Sequence, residues 1–242
     1  MAVDEALAGC RRPGEATLRI YRWARPTLSL GRNQPARGRY DPHALRSLGV
    51  DAVRRPTGGR EVLHDRELTY AVVVPVAGPG SLRTVYRQVN RALVQALAAL
   101  GVRGGLAEPG ERSPRPDAGA CFGEPAAGEV MAAGRKLVGS AQVRLGATLL
   151  QHGSLLLDRS PVGLESLAAP GHGGGGGDRG VTLRELLGAP LSFDQVASTV
   201  EAALAGSFGG SWTRASGLDP EEEARVRSLL PAYLDADRTW GR

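Results

Sequence analysis

The sequence predicts an α+β fold, a mixed and mainly antiparallel sheet flanked by helices. Three observations carry this. Strand-like and helical stretches are interspersed without the regular alternation of a parallel βαβ protein. Glu129 to Asp158 reads as a set of antiparallel strands with glycine turns at Gly134 and Gly146. One long amphipathic helix, Ser81 to about Leu100, puts Val85, Val89, Leu93, Leu97 and Leu100 on a single face. There are no internal repeats.

Taken in order, Met1 to Leu7 has the pattern of a short helix, entered abruptly at the first residue. Thr17 to Trp23 alternates as a strand does, and Thr27 to Leu30 is a second short strand. Asp41-Pro42 is an N-cap followed by proline at the first helical position, opening a helix to Leu48. Asp51 to Arg55 is a strand that enters the loop Pro56-Thr57-Gly58-Gly59-Arg60, and Leu68 to Pro75 is a valine-rich β run. Ser81 caps the long helix and Gly101 stops it. Arg103 to Ala120, rich in Gly, Pro and charge, reads as a long mobile loop. Ser160-Pro161 opens a short helix, and the stretch 171–177, glycine apart from His172, reads as a tether within one domain formed by 1–170 and 178–242. Beyond it lie helices at Thr182 to Leu187 and Ser192 to Ala205, the second with a capping box of Ser192 and Gln195. A last helix opens at Asp219-Pro220, with three glutamates placed well for the dipole.

Composition excludes several classes. At 242 residues and 42% hydrophobic, the chain can bury a proper core. No stretch approaches a membrane span, and the first ten residues lack a basic segment, so neither a membrane protein nor a signal peptide is expected and the location expected is cytoplasmic. The pI of about 9.7 overstates a net charge of +5, because the basic residues are nearly all arginine. Those arginines are scattered, which argues against nucleic-acid binding. A mildly positive surface suits acidic carrier proteins. Two cysteines and four histidines at these spacings form no disulfide framework and no metal site.

Of the 30 Lys plus Arg residues, one is lysine, Lys136; asparagine is nearly absent too, at Asn33 and Asn90. Arginine replaces lysine wherever charge alone matters, but not where a compact ammonium on a slim stem is needed. Lys136 sits in Gly134-Arg135-Lys136-Leu137-Val138-Gly139-Ser140-Ala141-Gln142, where small residues permit close approach of a substrate. It is therefore a candidate for chemistry. Cys121, in Ala118-Gly119-Ala120-Cys121-Phe122-Gly123-Glu124-Pro125, is a candidate nucleophile, against the plain alternative of a small buried cysteine.

Three segments carry a family likeness. They are Arg54 to Asp65 (RRPTGGREVLHD), Glu67-Leu68-Thr69-Tyr70, and Gly134 to Gln142 running on to Gln151-His152-Gly153-Ser154. In order and spacing, over about residues 2–160, they resemble the biotin/lipoate protein ligase superfamily, in the branch of lipoate–protein ligase A and the octanoyltransferases. The resemblance implies that superfamily's catalytic-domain fold, an acyl tunnel beside Gly58-Gly59, and contact of Lys136 with the acyl carbonyl. It places substrate-binding residues at Arg55, Thr57, Gly58, Gly59, Arg60 and His64, at Gly139, Ser140, Ala141 and Gln142, and at His152 and Gly153. Cys121 resembles the acyl-relay cysteine of one octanoyltransferase subgroup.

The expected activity is transfer of octanoyl from acyl carrier protein, through a Cys121 thioester, to a lysine of glycine cleavage H protein or a lipoyl domain. No cofactor is then needed. The alternatives are an ATP-dependent lipoate–protein ligase, which would need ATP and Mg, an amidotransferase between lipoyl proteins, and a non-catalytic binder of lipoyl domains. Arg55 and Arg60 could bind a phosphate; the plain alternative is surface arginines. His64 reads either as a site wall able to accept a proton or as a strand-end histidine bonded to backbone. His43 and His172 read as solvated, and Cys10 as structural. Ala126-Ala127-Gly128 stands where related transferases carry larger residues, which points to a reshaped acyl pocket.

Overall fold

The computed structural model describes residues 1–76, 78, 81–108, 121–122, 126–172 and 180–241. They form α1 (Ala2–Cys10), β1 (Thr17–Tyr21), β2 (Thr27–Leu30), α2 (Pro42–Ser47), β3 (Asp51–Arg54), β4 (Val62–His64), β5 (Glu67–Pro75), α3 (Ser81–Ala99), β6 (Gly104–Leu106), β7 (Val130–Ala132), β8 (Arg135–Leu145) and β9 (Thr148–Leu156). A 3-10 turn at Leu164–Leu167 follows, then α4 (Leu183–Leu187), α5 (Phe193–Phe208), α6 (Pro220–Leu234) and α7 (Ala236–Trp240). The expected class is found, with one refinement: the strands divide between two sheets. The larger runs β1–β5–β9–β8–β7–β6, with every neighbouring pair antiparallel. The smaller runs β3–β2–β4, and its β2–β3 pair is parallel.

β5 reads as an unbroken apolar run because both its faces are covered. Leu68, Tyr70, Val72 and Val74 join Val89, Leu93 and Leu97 of α3 and Val196, Val200 and Leu204 of α5 in the main core. Ala71 and Val73 join Leu7 and Ala8 of α1 on the other side. Burying each large aliphatic side chain contributes about 1.5–3 kcal/mol, so these two layers fix the position of the sheet. The caps read at Asp41, Ser192 and Asp219 are realised, each side chain accepting from a backbone N–H of the first turn, but the expected box at Ser192 has only its Gln195 N–H bond; Thr182, not read as a cap, forms a full box with Glu185.

Several expectations are corrected. Ser81 is the first helical residue, and its hydroxyl donates back to the Gly78 carbonyl at 2.9 Å. Ser160 opens no helix: its Oγ accepts from the Val162 N–H at 3.1 Å, and this local turn displaces the helical bond until Gly163. Gly104–Leu106, read as loop, is an edge strand made by pairing with β7, where a Cβ on Gly104 would lie 3.1 Å from both Leu97 and the Met131 carbonyl. The helix at Asp219-Pro220 is followed by another, α7. The rest of the expected mobile loop, 109–120, and 173–177 of the expected tether lie outside the described residues. No described helix is long and apolar enough to cross a membrane.

Candidate active site

A cavity of about 360 Å³ lies where β8 and β9 meet the segment Gly58–His64. That volume falls within the range of about 300–1,000 Å³ usual for small-molecule sites. Every residue expected to act or bind substrate lines it except Thr57: Cys121 and Lys136, then Arg55, Gly58, Gly59, Arg60 and His64, then Gly139, Ser140, Ala141, Gln142, His152 and Gly153. Thr57 is buried and donates to, or accepts from, His152 Nε2 at 2.6 Å.

A β-bulge delivers Lys136. Val130 pairs with Val138, but Met131 pairs with Lys136, so Leu137 is an extra residue on β8. In a regular strand residues 136 and 139 would point to opposite faces. Here Leu137 and Val138 both enter the main core, and Lys136 turns onto the face of Gly139, where its Cε lies 3.3 Å from a Cβ placed on that glycine. The ammonium is 2% exposed as a residue and fully engaged. Nζ donates to Glu129 Oε1 at 2.6 Å, to the Cys121 carbonyl at 2.9 Å and to Cys121 Sγ at 3.3 Å. It also lies 5.1 Å from the Phe122 ring centroid.

Cys121 is clamped from both sides of its backbone. Its N–H donates to the Glu61 carbonyl at 3.1 Å, and its carbonyl accepts from Lys136 and, at 3.2 Å, from Arg60 Nη2. Its Sγ would be 3.5 Å from a Cβ on Gly139, so the glycine leaves room for whatever binds the sulfur. Both cysteines are free thiols. The expected phosphate-binding or surface role of Arg55 is not what its position allows. Arg55 is buried, and its five donors are taken by the Ser29 carbonyl and hydroxyl, by Gly58 O twice, and by the Arg60 carbonyl. It braces the Gly58-Gly59 turn, in which Gly59 has a φ of 90°. Arg60 is buried too.

Two polar networks back the cavity wall. His64 Nδ1 meets Glu67 Oε1 at 2.7 Å, Nε2 meets Ser29 Oγ at 2.7 Å, and the ring stacks on Trp23 at 4.4 Å. It lines the cavity as expected, but its bonds are to side chains, with both ring nitrogens engaged. Burial alone would raise the Glu67 carboxyl; His64 and the hydroxyls of Thr69 and Ser154 outweigh it and hold Glu67 below the usual range. His152 lies 3.9 Å from Asp4 by Nδ1, which has no hydrogen-bond partner. Burial depresses its pKa despite that carboxylate, so the ring is neutral at pH 7. Asp4 is held well below the usual carboxylate range: burial opposes this, but His152, the terminal amine and Arg19 prevail.

Sequence reasoning missed Glu129, Tyr86, Ser29, Thr69 and Ser154 on the cavity wall, and Asn90 behind it. Asn90 is buried, donates to the Gly128 carbonyl at 2.8 Å, and accepts from Ser140 Oγ at 3.1 Å. The scarcity that singled out Lys136 applies equally to Asn90, one of two asparagines, and would have found it. Tyr70 donates to or accepts from Ser140 at 2.7 Å; burial pushes its phenol up to about 12, so it stays neutral.

The arrangement can do acyl chemistry: a half-buried thiol beside a lysine ammonium, at the wall of a cavity. The chain is similar to a protein of Kyrpidia tusciae named octanoyltransferase LipM, 42% identical over 97% of this chain and 91% of that protein. It is 38% identical to one of the same name from Symbiobacterium thermophilum, over 98% of this chain and 91% of the relative. Among solved structures it superposes with a TM-score of 0.79 on the bi-partite lipoate protein ligase of Thermoplasma acidophilum, solved in a study that includes its E2 lipoyl domain; identity is 22%, covering 99% of this chain and 90% of that one. At that identity the likeness speaks for the fold alone. The lipoyl protein ligase A/B catalytic domain model matches residues 1–205, and the chain belongs to that family.

Proposed function

We propose that this protein is an octanoyltransferase of lipoate biosynthesis, which takes octanoyl from acyl carrier protein onto Cys121 and passes it to a lysine of glycine cleavage H protein or a lipoyl domain. The observation that carries the reading is Lys136 Nζ at 3.3 Å from Cys121 Sγ inside the cavity. A lysine aimed at the acyl group serves a ligase equally well, but a thiol beside it is needed only by a relay. The two relatives named octanoyltransferase LipM favour the same activity.

In the first half-reaction the Cys121 thiolate attacks the carrier thioester carbonyl. A new C–S bond forms, the carrier C–S bond breaks, and the carrier thiolate leaves, taking up the proton that the Cys121 thiol gave up. The ammonium of Lys136 lies 3.3 Å from the attacking sulfur and faces its negative charge. Once the sulfur is acylated it is no longer an anion, and the donor that faced it is released to the acyl carbonyl oxygen, where negative charge develops in both half-reactions. Glu129, bonded to Nζ at 2.6 Å, keeps the ammonium aimed. In the second half-reaction the substrate lysine amine forms the C–N bond, the Cys121 C–S bond breaks, and the amine proton returns to the sulfur. His64 has no chemical role in this account; Ser29 and Glu67 hold its ring in the cavity wall.

The test is a single turnover. Enzyme loaded with octanoyl, freed of donor and mixed with H protein without ATP, should form the amide as fast as steady-state turnover. Amide formation only from octanoate plus ATP would replace this reading with the ligase.

A further inference from the structure

A second concave feature lies away from the cavity. A groove of about 1120 Å³ runs between α3 and α5, and its α3 wall carries Arg83, Arg87 and Arg91. The three are exposed and one helical turn apart. Helix α3 contains no acidic residue, and no ion pair joins any of the three to an acid among the described residues. Some exposed arginines elsewhere are matched, Arg66 and Arg184 to Asp158 and Arg214 to Glu201; what sets the α3 row apart is three of them in register on one face.

The row works against its own helix. Like charges one turn apart repel, and Arg83 sits in the first turn, where the positive end of the helix dipole disfavours a cation. A feature that costs the helix stability and has no acidic partner among the described residues points outward. The same helix also reaches the candidate active site on another face. Tyr86, next to Arg87, lines the cavity with Cys121 and Lys136, and Asn90, next to Arg91, holds Ser140.

We infer that the α3 row is the docking surface for an acidic carrier domain, the protein that delivers the acyl thioester. What the partner carries rests on the relay reading; where it binds rests on the charge row. Complementary charge of this kind speeds encounter and weakens with salt.

The test is the triple variant Arg83→Glu, Arg87→Glu, Arg91→Glu. An acid at position 83 suits the first turn, so the variant should melt no lower than wild type. Binding of fluorescently labelled holo acyl carrier protein should weaken at least about tenfold, and wild-type binding should fall as salt rises to about 0.5 M. Loading from the carrier thioester should fall in step, while loading from octanoyl-pantetheine stays within about twofold of wild type. Equal carrier affinity in variant and wild type overturns the docking surface, and so does a loss confined to the amide-forming step. Failure of wild-type enzyme to load from either donor strikes the relay reading instead, and the binding measurement still decides the docking surface.

Discussion

Lys136 has three ammonium donors, and Glu129, the Cys121 carbonyl and the Cys121 sulfur take all three. Arginine cannot reproduce this geometry, because its planar fork is larger and its charge is spread. Lys136→Arg should therefore lower transfer at least about 100-fold although the charge is kept, measured as kcat/KM. Glu129→Gln leaves the buried ammonium without its counter-charge and should destabilise the fold by about 3–5 kcal/mol in denaturant unfolding. Full activity in the first variant, or an unchanged midpoint in the second, would contradict the pairing. Lys136 and Cys121 were legible because scarcity and small neighbours mark them. Glu129 was not, because an acid at the start of a strand does not announce its partner across a hairpin. Arg55 and Arg60 were placed in the right wall, but sequence cannot tell a guanidinium that binds phosphate from one that clamps carbonyls.

The bulge at Leu137 is the element that turns a β-hairpin into a site, since without it Lys136 would face away from Gly139. Nothing in the local sequence marks it: the run reads equally well as a regular strand. The hairpin turns were legible, because Gly134 and Gly146 adopt φ values of 72° and 61°, which glycine tolerates best. The edge strand Gly104–Leu106 was hidden for the opposite reason, as glycine-rich sequence becomes a strand only through tertiary pairing. Gly153 supplies a prediction at this scale. A Cβ there would lie 2.5 Å from the Gly139 carbonyl and 2.7 Å from the Tyr70 ring, on two elements that cannot both give way. Gly153→Ala should cost about 1–3 kcal/mol or more and lower the melting temperature by several degrees. A variant as stable as wild type would show that β8 and β9 are looser than described.

Across the whole molecule, His152 of β9 is buried between Asp4 of α1, 3.9 Å away, and Thr57 of the loop before Gly58, to which it is hydrogen-bonded. It makes stability pH-dependent with a definite sign. His152 is depressed from its ordinary 6.5, so just below that pH the unfolded chain binds a proton the folded chain refuses. Stability present above about pH 6.5 is then lost as pH falls toward the folded value, and the depressed Asp4 and Glu67 add losses in the same direction at lower pH. The melting temperature should fall on acidification from pH 7, and His152→Gln should flatten the first part of that fall; an identical slope in the variant would remove His152 from the account. The relay through Cys121 is the claim on which the rest depends. Intact-protein mass spectrometry after mixing enzyme with octanoyl-acyl carrier protein, without ATP or acceptor, tests it most directly. The account predicts a gain of one octanoyl group, removed by hydroxylamine and absent in Cys121→Ser. No adduct on the wild-type enzyme, or an equal adduct on the variant, would contradict it.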